Sequence, residues 1–204
     1  MTGPVLRRRL LWGLLVAALL VVTAAALVQR LRRPEQPPVL GRVPEFTLIN
    51  RDGRTVGRGD LAGAPWVADF IFTRCPASCP MLTARMARLN GDLPEDMGVR
   101  LVSFSVDPEH DTPAVLEKYA ASFDAPSHWL FLTGTREQIL TLSRDGFKLG
   151  LEMTPPPGIE APEPILHSNR FVLVDGRGDI RGYYEAFDEE SMEKLLEDLE
   201  AVTP

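Results

Sequence analysis

Residues 66–80, which read WVADFIFTRCPASCP, decide the fold. The run 66–72 is mostly apolar, a pattern typical of a strand buried on both faces. Over residues 80–93, apolar side chains recur at helical spacing, which predicts a helix. Cys75 and Cys79 therefore lie where a buried strand meets the N-terminus of a helix.

Strand and helix patterns alternate along the rest of this body. The predicted elements are a hairpin over 45–56, strands over 99–106 and 129–133, helices over 111–123 and 135–146, a hairpin over 170–185 and a helix over 188–202. Alternation of strand and helix implies a central sheet with parallel members, to which the terminal hairpin adds antiparallel edges. We therefore predict an α/β, thioredoxin-like fold, with its first core strand leading directly into the cysteine segment.

A second apolar stretch, residues 10–28, contains no charge and one polar side chain, Thr23. As a helix it would extend roughly 28 Å, close to the hydrocarbon thickness of a bilayer. We predict an uncleaved transmembrane helix with a short cytoplasmic tail, residues 1–9, and the folded domain on the extracytoplasmic, periplasmic side of the inner (cell) membrane. A cleaved signal peptide is the alternative, because Ala24–Ala26 resemble a cleavage site.

The segment after the anchor is rich in proline. Residues 29–42 are predicted to form a stiff tether, since proline-rich chain stays extended, and residues 43–204 to form the folded domain. Another long segment, residues 151–166, contains five prolines. A loop of that length in a compact domain is usually functional.

The charge distribution argues against nucleic-acid binding. Residues 1–33 contain six arginines and no acid, so the rest of the chain holds 16 basic and 28 acidic side chains. A body this acidic is repelled by phosphate backbones and suits a positively charged protein partner. Two cysteines exclude a disulfide-dense scaffold and leave one bridge, one metal site or one redox pair.

The position of Cys75 and Cys79 indicates their chemistry. The N-terminus of a helix stabilises a thiolate and lowers a cysteine pKa from its reference of about 8.5. Three intervening residues make an i, i+4 pair whose sulfurs converge on one side of a helical turn. This pattern favours a soft metal or thiol chemistry. A structural disulfide remains open, although it would close only a very short loop.

A metal held by two thiolates needs another ligand, and His167 is the candidate. It ends the proline-rich loop just before a predicted strand, where the loop can fold over the helix start. Two thiolates and an imidazole suit Cu(I) and accommodate Cu(II), whereas zinc normally takes a fourth ligand. A surface role for His167 stays open on spacing alone, and His110 and His128 are interpreted as a turn residue and a loop residue.

The motifs resemble those of the Sco/SenC family of copper-binding assembly proteins. The resemblance extends from about residue 43 to the last helix. It rests on the anchor, the segment FIFTRCPASCP at 70–80, the segment SVDPEHDTP at 105–113, His167 before a strand, and the Asp-Gly pair at 175–176. The chain departs from many relatives at His110, where they have arginine.

This resemblance implies a thioredoxin fold and a copper ion held by Cys75, Cys79 and His167. It also implies a role in assembling cytochrome c oxidase: delivering copper to the binuclear copper site of an oxidase subunit, or keeping the cysteines of such a site reduced. Other copper chaperones or thiol reductants are further expected partners. Asp107 follows a strand next to the cysteine strand and is interpreted either as a support of the copper site or as a cap of the following turn.

Three functions follow from these observations. The first is a membrane-anchored copper chaperone, which is a binding protein rather than an enzyme with turnover. The second is a thiol-disulfide oxidoreductase in which Cys75 attacks and Cys79 resolves. A peroxidase on the same fold is disfavoured, because nothing singles out one exposed cysteine in an activating polar pocket.

Overall fold

The computed structural model describes residues 3–31, 35–76, 78–149 and 168–203. The chain divides into two compact units, Met1–Glu35 and Gln36–Pro204. The first unit contains one helix, α1, at Pro4–Leu31. Within the described ranges, no helix meets the length and apolarity that a membrane crossing requires. The transmembrane helix over 10–28 therefore stays a prediction.

The second unit alternates strands and helices. Its strands are β1 (Gly41–Arg42), β2 (Thr47–Asn50), β3 (Thr55–Gly57), β4 (Trp66–Ile71), β5 (Arg100–Ser105), β6 (Trp129–Thr133), β7 (Arg170–Val174) and β8 (Asp179–Glu185), and its further helices are α2 (Ser78–Asp92), α3 (Pro113–Ala121), α4 (Arg136–Thr141) and α5 (Glu189–Val202). These bounds agree with the predicted elements to within a few residues. The last residues of the predicted tether, 36–42, lie in this unit, where β1 pairs with β8.

Among the described residues, the strands form one mixed sheet in the order β1-β8-β7-β4-β5-β6-β2-β3. The predicted parallel members are β4, β5 and β6, whereas β7 is antiparallel to β4. The hairpin over 170–185 does not form an edge as expected, because β7 lies inside the sheet and β1 covers β8. The carboxyl ends of β4 and β5 lie side by side, with Ile71 opposite Ser105.

The core has one apolar cluster on each face of the sheet. Every residue of β4 is buried, as its unbroken apolar run predicts. Because successive side chains of a strand point to opposite faces, Val67 and Ile71 join the cluster that contains both cysteines and the apolar side of α2. Trp66 and Phe70 join the other cluster. The central strand is thereby fixed in register before it reaches the cysteine segment.

Helix starts agree with the capping signals in the sequence. The Thr112 side chain accepts the backbone N–H of Val115 at 3.4 Å, with Pro113 in the first helical position of α3. Thr135 and Gln138 form a capping box at the start of α4. Such caps satisfy N–H groups that have no partner within the helix.

The turn between β7 and β8 is organised by the buried carboxylate of Asp175. One oxygen accepts the backbone N–H groups of Arg177 and Asp179 at 2.9 and 3.0 Å, and the other accepts the Arg181 guanidinium at 2.7 Å. Burial raises the pKa of Asp175, but these donors outweigh it and hold the pKa below its ordinary value. The pair therefore stabilises the fold at neutral pH, and this contribution is lost as the pH falls through the lowered pKa.

Replacing Asp175 with alanine is expected to lower the free energy of unfolding at pH 7 by about 3 kcal/mol, because Arg181 stays buried without its carboxylate. Urea unfolding followed by circular dichroism measures the loss. Asp52→Ala is the matched control, since Asp52 pairs with Arg54 in the other hairpin turn but is exposed; its cost should stay below about 1 kcal/mol. Equal losses in the two variants would contradict the assignment.

Candidate metal centre

The cysteine segment lies where β4 gives way to α2. The Cys75 N–H donates to the Phe72 carbonyl at 3.2 Å, which turns the chain after the strand. Cys79 lies in the first turn of α2. Both cysteines are buried thiols, 4% and 3% exposed, with no disulfide between them. The placement predicted for the pair, at a strand-to-helix junction, is confirmed.

The sulfur of Cys75 lies against the N-terminus of α2. It accepts the backbone N–H of Cys79 at 3.4 Å and lies 3.3 Å from the Ser78 hydroxyl. N–H groups in the first turn of a helix have no partner within the helix. The Cys75 sulfur thus supplies an acceptor for one of these N–H groups, and the Ser78 hydroxyl lies within hydrogen-bond distance of the same sulfur.

The Cys79 thiol differs from the expectation for a helix N-terminus. Burial raises the pKa of Cys79 well above its usual range, more than a backbone hydrogen bond with Phe72 lowers it, and the neighbouring Cys75 and Asp69 raise it further. Desolvation therefore outweighs the helix dipole at this position. A metal ion can still displace the thiol proton, because a coordinating thiol is deprotonated by the charge of the ion.

A second buried polar group, Asp111, lies beside the cysteine segment. Asp111 is fully buried. It accepts the backbone N–H of Thr73 at 3.1 Å, the Thr73 hydroxyl at 2.5 Å and the Ser105 hydroxyl at 2.6 Å. Burial raises the pKa of Asp111, and the hydrogen bonds from Ser105 and Thr73 offset part of the rise. Asp111 thus links the loop before Cys75 to the end of β5.

An ion pair joins the same two segments at the surface. The Arg74 guanidinium donates to one oxygen of Asp107 at 2.9 and 2.6 Å. The Asp107 side chain therefore faces the residue just before Cys75, while its backbone carbonyl accepts the N–H groups of His110 and Asp111 in the turn before α3. Of the two interpretations of Asp107, its geometry favours support of the cysteine segment.

The three histidines lie in different situations. His128 contacts Asn90 at 2.7 Å near the end of α2, roughly 16 Å along the helix from Cys79 at 1.5 Å per residue. His110 is exposed in the turn before α3, and His167 lies outside the described residues, as does the loop 151–166. Within the described part of the chain, no three His, Cys, Asp or Glu side chains are grouped closely enough to hold a metal ion. The ligand set with His167 stays a prediction.

Asp69 is a buried charge that the sequence interpretation missed. It lies between Val67 and Ile71 on β4, on the face of the sheet that carries the cysteines. It is fully buried, and neither carboxylate oxygen has a hydrogen-bond partner by geometry among the described residues. Burial raises its pKa to about 7. The available signal was a lone acid inside the apolar run WVADFIF.

Comparison with known proteins gives the same fold and family. The SCO1/SenC family model matches residues 35–203. A SCO1 protein homolog of Bacillus subtilis is 34% identical over 169 residues, which are 81% of this chain and 85% of that protein.

Two solved structures have the same fold. The structure of BsSco, a member of the Sco family of cytochrome c oxidase assembly proteins in which a disulfide switch was identified, has a TM-score of 0.70 at 33% identity and covers 83% of this chain and 97% of its own. The structure of Bradyrhizobium japonicum ScoI with copper bound has a TM-score of 0.60 at 25% identity, with coverage of 76% and 98%.

The predicted thioredoxin-like α/β fold is thereby confirmed for the body. The family match spans most of the chain, and the Bacillus subtilis relative is more than 30% identical over most of both proteins. The chain therefore belongs to the SCO1/SenC family.

Proposed function

We propose that this protein binds copper and takes part in the assembly of cytochrome c oxidase. The observation that carries the proposal is the pair of buried thiols where β4 gives way to α2, with the Cys75 sulfur 3.4 Å from the Cys79 amide nitrogen. Relatives described as oxidase assembly proteins, or solved with copper bound, support it.

The chemistry of the site fits copper. Cys75 and Cys79 supply two sulfur donors, and soft sulfur ligands select Cu(I) over harder divalent ions. Both sulfurs lie in an apolar cluster, which shields a bound ion from water. We propose His167 as the third ligand, as the sequence predicts.

The action we favour is delivery of copper to the binuclear copper site of an oxidase subunit. Copper is the cargo, and an incoming donor from the partner replaces the ligands of this chain one at a time. The domain then works outside the cytoplasm, held at the inner membrane by residues 10–28. Its acidic surface suits a partner with a basic face.

Reduction of a client's cysteines is the second candidate, favoured by the two neighbouring thiols where β4 gives way to α2. The Cys75 sulfur attacks one sulfur of the client disulfide, and the client's other sulfur leaves as a thiolate. Cys79 then loses its proton and attacks Cys75, so that the client dithiol is released and Cys75–Cys79 becomes the disulfide. Two electrons pass from this chain to the client.

Metal content and thiol exchange measured on one preparation separate the two functions. The full chain, reduced in mild detergent and given Cu(I), is expected to hold about one copper per chain, and His167→Ala to bind at least ~10-fold more weakly. His128→Ala is the control and should bind like the wild type. A wild-type chain that binds no copper yet reduces a client disulfide would replace delivery with reduction. Unchanged binding by His167→Ala, with either Cu(I) or Cu(II), would remove His167 from the ligand set.

A further inference from the structure

We propose that Asp111 is the positioning residue of the cysteine pair, holding the loop 72–75 against the end of β5 so that the Cys75 sulfur lies over the start of α2. The expected effect of Asp111 on copper affinity rests on the proposed function. Its expected effect on the metal-free cysteine pair is independent of that function.

Asp111 forms hydrogen bonds with two segments that are far apart in sequence. Its two oxygens accept three hydrogen bonds, two from Thr73 and one from Ser105. Ser105 in turn accepts the backbone N–H of Asp107 at 3.1 Å. The carboxylate therefore ties the loop after β4 to the loop after β5 at the point where both strands end.

The connection from Asp111 to the sulfur is short. Thr73 lies two residues before Cys75, and the Cys75 N–H is already fixed on the Phe72 carbonyl. Two hydrogen bonds on Thr73 thus restrain the backbone immediately before Cys75. The restrained sulfur then meets the Cys79 N–H at 3.4 Å.

The buried hydrogen bonds of Asp111, rather than the surface ion pair of Arg74 with Asp107, should contribute most of this restraint. The Arg74 side chain is 52% exposed, so water and salt weaken its pair with Asp107. Asp111 is fully buried. Without its carboxylate, the partly buried Thr73 would lose the acceptor of its N–H and hydroxyl, and the fully buried Ser105 hydroxyl would lose its acceptor too.

Two substitutions at Asp111 separate the role of its hydrogen bonds from the role of its charge. Asp111→Ala removes all three hydrogen bonds. Asp111→Asn can keep them, because its carbonyl oxygen can accept from the Thr73 N–H and Ser105 while its amide donates to the Thr73 hydroxyl. Asn50→Ala is the matched control, since Asn50 is also buried and accepts a backbone N–H, that of Phe131, on the strand pair β2–β6.

The test uses the full chain in mild detergent and two measurements. The first is hydrogen exchange of the Cys79 amide in the reduced, metal-free protein, observed by NMR. The second is the Cu(I) dissociation constant in competition with a chelator. For Asp111→Ala we expect exchange at least ~10-fold faster and Cu(I) binding ~10- to 100-fold weaker. Asp111→Asn and Asn50→Ala should both stay within about 3-fold of the wild type.

Each outcome decides the proposal. Unchanged exchange in a folded Asp111→Ala chain, or an equal change in Asn50→Ala, would overturn it. If Asp111→Ala does not fold, Thr73→Val and Ser105→Ala replace it, with exchange ~3- to 10-fold faster expected and no change overturning the assignment. A wild-type chain that binds no Cu(I) would overturn the proposed function, while the exchange measurement still decides the role of Asp111.

Discussion

Replacing either cysteine with serine is expected to weaken Cu(I) binding by roughly a hundred- to a thousand-fold. Structural zinc sites in small peptides contribute roughly 10–16 kcal/mol through four ligands, or about 2.5–4 kcal/mol per ligand. A loss of that size corresponds to roughly a hundred- to a thousand-fold in the dissociation constant. Serine oxygen is a hard, protonated donor that does not replace a thiolate on Cu(I).

The two serine variants should share the loss of copper and remain similarly stable. At Cys75, the serine hydroxyl can still accept the Cys79 N–H that the sulfur accepts now. At Cys79, it can keep the backbone hydrogen bond with Phe72. We therefore expect the free energies of unfolding of the two variants to differ by less than about 1 kcal/mol.

Chelator competition measures the affinities, and thermal unfolding of the same samples shows that the variants are folded. Ser78→Ala is the matched control, because it alters a neighbour of the Cys75 sulfur without removing a ligand; its binding should weaken only a few-fold. A folded single-serine variant that binds Cu(I) like the wild type would exclude that cysteine as a ligand.

The parts of the site that could be predicted from the sequence are those encoded locally. The junction of β4 and α2 follows from an apolar run, a proline-flanked cysteine pair and a helical repeat within about 30 contiguous residues. The caps at Thr112 and Thr135 are local in the same sense. Each of these patterns depends on side chains only a few positions apart, so the sequence order already contains the geometry.

The parts that could not be predicted depend on which strands lie side by side. Asp111 meets Thr73, 38 positions earlier, only because β4 and β5 are parallel neighbours that end together. The pairing of Arg74 with Asp107 has the same origin. The pKa of Cys79 depends on how deeply α2 packs, and no local pattern gives that depth. Tertiary packing here determines the polar contacts and the sign of the pKa shift.

Between pH 5 and pH 8, the free energy of unfolding of the wild type is expected to fall as the pH rises. Replacing Asp69 with asparagine is expected to reduce this fall. The pKa of Asp69 is about 7 in the folded protein against the ordinary value of 3.8. Between those values the folded chain keeps a proton that the unfolded chain has lost, so the free energy of unfolding falls as the pH rises, and it levels off above the folded pKa. A difference of about three pKa units corresponds to roughly 4 kcal/mol in total.

Within the measurable window of pH 5 to pH 8, the wild type should lose roughly 3 kcal/mol through this one group, and Asp69→Asn should not lose it. Urea unfolding of the reduced, metal-free chain at several pH values gives the two curves. Asp175→Asn is the control: the pKa of Asp175 is held below its ordinary value of 3.8 in the folded protein, so this carboxyl is ionised throughout the window and its variant should keep the wild-type slope. If Asp69→Asn kept the wild-type slope, the decline would have to arise from other groups. A lost slope would mean that the buried carboxyl group on the cysteine-bearing face of β4 makes this domain less stable at neutral than at mildly acidic pH.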